Sequence, residues 1–104
     1  LDTGGLALSK DRSTAALDGD GDKGFGLICD AAGGPLAGLH IAGVHQEHGE
    51  VKVDDPALFE KLPIGGKVRI FPNHACMTAA AYDTYHVVDG GMDIVDTWDR
   101  CNGW

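Results

Sequence analysis

Apolar and polar positions alternate along this chain in short runs that glycine, proline or aspartate repeatedly breaks, which is the signature of short strands. The clearest alternation is at residues 50–53, where Val51 and Val53 share one face and Glu50 and Lys52 the other. Residues 67–71 repeat the pattern, with Val68 and Ile70 on one side before Pro72 and Asn73 stop the run. Residues 25–29 are continuously apolar between turn signals and predict a buried strand; residues 39–44 predict another. Residues 1–8 read as a strand interrupted by glycines. Residues 85–88 and 94–98 flank Asp89-Gly90-Gly91 and predict a hairpin, since glycine takes the positive φ that a tight turn demands. Two segments depart from the strand rhythm. Residues 56–62 suit a short helix, with Asp55 as cap, Pro56 in the first turn, and Pro63 and Gly65-Gly66 ending it. The alanine-rich residues 75–81 predict a second, brief one. Residues 9–12 are polar and exposed, and residues 18–24 and 31–38 read as loops. The sum is a mainly β fold, a small barrel-like or sandwich domain with one or two short helices, covering residues 1–104 without a repeat or linker.

Composition narrows what such a domain does. At 104 residues, with 43% hydrophobic positions, the chain supports one core, and its 16 glycines fit a turn-rich β fold. Eight Lys and Arg against 16 Asp and Glu give a formal charge of −8. That charge repels phosphate backbones and anionic lipid, which excludes nucleic acid and membrane surfaces as expected partners. No apolar run approaches the roughly 20 residues of a membrane span. The first residues lack the basic and apolar regions of a signal peptide, and the absent initiator Met predicts either processing or a piece of a longer chain. Cys29, Cys76 and Cys101 are odd in number, which favours a reducing, cytoplasmic setting over a disulfide scaffold.

The strongest candidate for chemistry is Pro72-Asn73-His74-Ala75-Cys76. Read as extended chain, its alternate residues share a side, so His74 and Cys76 would present an imidazole and a thiolate together, two ligand types that zinc favours. The same spacing is also met by a Cys packed as a small hydrophobe beside an ordinary His. His45 and His48 could complete a closed four-ligand site with this pair, or simply sit on a solvated hairpin tip. Asp18, Asp20 and Asp22 imitate the start of a calcium loop, but Lys23 stands where that loop needs Gly, and Cys29 where it needs Glu. Ser9-Lys10 lacks the rest of a nucleophile motif, and there is no phosphate loop, dinucleotide fingerprint or Cys-x-x-Cys pair.

Five stretches follow one another in a known order: residues 1–11 (Leu-Asp-Thr-Gly-Gly-Leu-Ala-Leu-Ser-Lys-Asp), Gly24-Phe25-Gly26, Gln46-Glu47-His48-Gly49, residues 72–78 (Pro-Asn-His-Ala-Cys-Met-Thr) and Val95-Asp96-Thr97-Trp98. Together they resemble the C-terminal domain of the D-serine dehydratase and D-threonine aldolase family, fold-type III pyridoxal-phosphate (PLP) enzymes related to alanine racemase. The resemblance spans almost the whole chain and is most specific around His74. It implies a β-domain partnered by an N-terminal (β/α)8 barrel that carries the PLP lysine, in a homodimer acting on a small D-amino acid. It further implies that His74 and Cys76 hold a divalent metal, zinc or alternatively manganese, which acts as a Lewis acid on the substrate hydroxyl. In the aldolase branch a carboxylate takes the second ligand position. Cys76 stands there, which leans toward dehydratases (ammonia-lyases) of D-serine or D-threo-3-hydroxyaspartate, with retro-aldol cleavage as the alternative. The segment His45-Gln46-Glu47-His48-Gly49 departs from the Ser-Glu-Glu-His-Gly of relatives. None of Lys10, Lys23, Lys52, Lys61 and Lys67 matches a PLP lysine, so this chain alone is expected to be inert and the barrel to lie elsewhere. Two other readings compete: a stand-alone zinc-stabilised binding domain using His45, His48, His74 and Cys76, and an acidic β-domain with no site.

Overall fold

The computed structural model describes residues 1–17 and 19–101, with the backbone alone at Asp20. Six strands, β1 (Gly26–Cys29), β2 (Pro35–Val44), β3 (Gly49–Val53), β4 (Arg69–Pro72), β5 (Thr84–Val88) and β6 (Ile94–Asp99), fall into two antiparallel sheets. The first sheet has the order β3-β2-β1-β4; the second is the β5–β6 hairpin. The mainly β expectation holds. Among the described residues the larger sheet stays open, with β3 and β4 as its edges and no pairing between them to close a barrel.

Register explains where the core sits. Ile28 faces Ile70 across the β1–β4 pair, and Ile41 faces Val51 across β2–β3. Ile28 and Ile41 are fully buried, together with Leu39 and Leu8, and Phe25, Leu58, Val68 and Ile70 pack around them. Each buried aliphatic side chain contributes about 1.5–3 kcal/mol relative to exposure. Gly24 fixes how the chain enters β1: its φ is +59°, and a Cβ there would collide with the Ile41 carbonyl. That same carbonyl accepts a hydrogen bond from Phe25 N at 2.8 Å.

Most local expectations are met. Asp55 caps the turn at Pro56–Lys61, its Oδ1 accepting from Ala57 N at 2.9 Å, although the turn is 3₁₀ rather than α. The alanine-rich segment forms a short helix, α2 (Ala75–Ala79). Gly90 takes φ 65° in the hairpin turn. Two expectations change. Residues 31–38 are only partly loop: Asp30 closes a tight turn by accepting from Ala32 N and Gly34 N, and β2 starts at Pro35. Residues 1–8 are not a strand but end in a single helical turn, α1 (Gly5–Leu8). The cause is tertiary. Gly5 N and Leu6 N donate to the carbonyls of His45 and Gln46, and Gly4 lies so near the His48 backbone that no side chain fits. The segment thus docks on the β2–β3 turn through its backbone, with Leu8 buried and Leu6 exposed. The acidic loop is described from Gly19 onward; Asp18 and the Asp20 side chain lie outside the described residues.

Candidate metal centre

His74 leaves β4 through Pro72 and Asn73, and Asn73 anchors that exit. Its Nδ2 donates to the Gly24 carbonyl at 2.6 Å, and its Oδ1 accepts from Ser13 Oγ at 2.6 Å. His74 itself is the N-terminal cap residue of α2, in extended conformation, with its carbonyl accepting the first helical bond from Thr78 N. Cys76 lies inside the helix and is exposed. The expected common face of a continuous strand is therefore corrected: the chain turns helical between the two residues, and strand alternation ends at the cap.

Sequence reading missed the group that the fold brings to His74. Its Nδ1 is hydrogen-bonded to Asp11 Oδ2, across 63 residues of chain. Because a carboxylate only accepts, Nδ1 carries the proton of this bond, and in a neutral imidazole so held Nε2 is the nitrogen with the lone pair. The His74 side chain keeps 34% of its surface exposed. In the sequence Asp11 stands out only as the end of the polar Ser9-Lys10-Asp11 run and of the family-like stretch 1–11, neither of which links it to His74.

A second set of contacts holds Asp11 in reach. Thr78 Oγ1 lies 2.9 Å from the Leu8 carbonyl and 3.0 Å from that of His74, and Tyr82 Oη donates to the Ala7 carbonyl at 3.1 Å. Between this clamp and Asp11 stands Ser9, with φ 69° and ψ 172°, a region nearly confined to glycine. Among the described residues it is the one non-glycine at positive φ, and such a conformation costs about 1–3 kcal/mol. Its hydroxyl accepts from Asp11 N at 3.2 Å.

The remaining candidates are placed apart from this arrangement. His45 and His48 stack at 4.8 Å on the β2–β3 turn, and His45 Nε2 pairs with Glu50 at 2.6 Å, a bond that lowers the Glu50 carboxyl below its usual range. Among the described residues no group of three or more His, Cys, Asp or Glu is placed to hold a metal. The closed site of His45, His48, His74 and Cys76 is thus not assembled. Cys29 is buried, and burial pushes its thiol up, away from reactivity. A recess lined by Asp22, Leu27, Leu36 and His40 includes neither His74 nor Cys76. Cys76 is exposed and His74 half-buried. Among the described residues no helix is long and apolar enough to cross a membrane.

An imidazole with a free Nε2 and an accessible thiol make a donor set that suits zinc and leaves coordination positions open. Fold and donors together define a small, mainly β module that carries a histidine and an exposed cysteine two positions apart. Residues 1–88 match the family described as "Putative serine dehydratase domain", and the chain belongs to that family. It is 38% identical, over its whole length, to D-threo-3-hydroxyaspartate dehydratase from Delftia sp. (strain HT23), of which it covers 28%. It is 33% identical to D-serine dehydratase from Dictyostelium discoideum, covering 26% of that protein. The chain thus spans about a quarter of the length of these relatives. Among solved structures, an alanine racemase-like protein from Idiomarina loihiensis superposes with a TM-score of 0.83 at 41% identity, over 99% of this chain and 27% of that one. The Delftia enzyme superposes with a TM-score of 0.80 at 37% identity, again over 99% of this chain and 27% of that one. It has also been solved as a cysteine-to-alanine variant in the metal-free form and as a histidine-to-alanine variant, the histidine lying two positions before the cysteine.

Proposed function

We propose that this chain is the C-terminal β-domain of a PLP- and divalent-metal-dependent dehydratase of D-hydroxyamino acids, an ammonia-lyase acting on D-serine or D-threo-3-hydroxyaspartate. Its site residues are His74 and Cys76 as metal ligands. The observation that carries this reading is His74 with Nδ1 occupied and Nε2 free, two positions before an exposed cysteine. The same His-x-Cys spacing separates the residues replaced in the Delftia variants. When bound, the metal supplies Lewis-acid help to a departing hydroxyl, and PLP supplies stabilisation of negative charge at Cα.

What the chain itself contributes follows from its donors. A thiolate and an imidazole are a softer set than manganese prefers, so zinc is the expected metal. Cys76 in place of a carboxylate favours hydroxyl elimination over retro-aldol cleavage. The β-domain offers two protein ligands and leaves the other positions to water or substrate, as a catalytic rather than a structural site does. The short relative coverage supports a partner barrel in the same enzyme, working as a homodimer, with PLP held mainly by that barrel. Exposed Ile94, Val95 and Trp98 fit a module that packs against further protein.

The test is metal content and stability measured on the full-length enzyme. Purified protein analysed by native mass spectrometry should carry PLP and one zinc per chain. Cys76→Ala and His74→Ala should each lose the zinc while the unfolding midpoint of the metal-free protein stays within a few degrees of the parent. Zinc retained in both variants, or unfolding of the parent on chelation, would defeat the proposal.

A further inference from the structure

Asp11 is the residue that neither the motif nor the donor set explains, and the fold goes to some length to place it. It reaches His74 from 63 positions away, through a Ser9 held in a glycine-like conformation. A partly exposed side-chain contact of this kind contributes only modestly to stability and gives little reason to keep such a backbone. The clamp of Thr78 and Tyr82 onto Leu8 and Ala7 secures the same two segments, the one ending at Asp11 and the one starting at His74.

We propose that Asp11 is the positioning residue of the metal site. Its carboxylate holds the His74 imidazole in the Nδ1–H tautomer and in one ring orientation, so that Nε2 is presented to the metal ready to bind. Carboxylate partners of metal-binding histidines act in this way, fixing the tautomer and raising ligand basicity. Asp11 touches neither metal nor substrate in this scheme. It works through His74, and the inference rests on the reading of His74 as a ligand.

Zinc affinity measured on the full-length protein, stripped of metal and titrated against a chromophoric chelator, separates the possibilities. Asp11→Ala should bind zinc about 10–100-fold more weakly than the parent, Asp11→Glu should recover part of that loss, and the metal-free unfolding midpoint should not move. Binding by Asp11→Ala within about twofold of the parent overturns the positioning role, since losses of such carboxylate partners run to tenfold and more. His74→Ala is the control on the ligand reading. If it too keeps zinc, both readings fall; if it loses zinc while Asp11→Ala does not, only the role of Asp11 falls. A readout independent of the variants comes from 15N chemical shifts of neutral His74 in the metal-free parent. A predominant Nδ1–H tautomer supports the proposal, and a predominant Nε2–H tautomer overturns it even if Asp11→Ala fails to fold.

Discussion

The four-stranded sheet and the β5–β6 hairpin are built from the same kinds of residue and meet opposite fates. Ile41 on β2 is 0% exposed and Ile28 on β1 is 1% exposed, whereas Ile94 and Trp98 on β6 are 58% and 57% exposed. Both regions pair antiparallel, and both carry a bulge. The difference lies in what covers them. Leu8, Leu58 and Val68 close over one side of the larger sheet, while every residue of β6 is exposed. A two-stranded ribbon is marginal in water by itself. Here it is tied to the rest by Arg69 Nη2 donating to the Gly91 carbonyl at 2.6 Å and by Arg100, whose guanidinium reaches the Ala79 carbonyl. Pairing is thus a local property of these sequences, and burial is a property of the whole molecule.

Three measurements would break or sharpen that contrast. The largest effect is expected at its buried pole. Ile41→Ala should cost about 2–5 kcal/mol in urea denaturation, because the sheet and its cover cannot collapse fully into the vacated space. A loss below 1 kcal/mol, far under that cavity cost, would mean the core is looser than its register implies.

A smaller effect is expected from acid. The hydrogen bond from Arg12 holds the Asp22 carboxyl down to about 2, from an ordinary 3.8, helped by Gly24 N. A carboxyl depressed in the folded state stabilises above its unfolded value, and that contribution fades as pH falls from the ordinary value toward the folded one. Stability should therefore decline between those two values, and Asp22→Asn should flatten this part of the profile. An unchanged slope in the variant would remove Asp22 from the account. Arg12 is exposed and Asp22 only partly buried, so the change should be modest beside that of Ile41→Ala.

The smallest effect is expected at the exposed pole. Trp98→Ala should shift the stability of the 104-residue chain by no more than about 0.5 kcal/mol, the usual range for surface positions. A larger loss would show that the hairpin leans on the sheet more than its exposure indicates.

How much of this was legible in the sequence follows the same division. The alternation at residues 50–53, the Asp55 cap and the Gly90 turn were readable because their causes lie within a few residues. Residues 1–8 misled, since the glycines that read as an interrupted strand are there to let the chain approach the backbone of residues 45–48. His74 and Cys76 were visible as a pair, and the alanine-rich run signalled the helix that starts at Ala75; reading the pair as extended chain overlooked that Cys76 falls inside that helix. Nothing near Asp11 in the sequence pointed to His74. Its meaning appears only once the fold brings it to His74.

The clamp around that pair also has a place in folding time. The bonds of Thr78 to Leu8 and of Tyr82 to Ala7 span 70 and 75 residues, and the Asp11–His74 contact spans 63. Closing loops of that length is entropically costly, and contacts so distant in sequence form late, after the neighbouring strands have paired. The orientation of His74 is therefore expected among the last features the chain acquires. By the same reasoning it is among the first that a brief opening of the molecule gives up, so amide protons at the start of α2 should exchange ahead of those in β1 and β2.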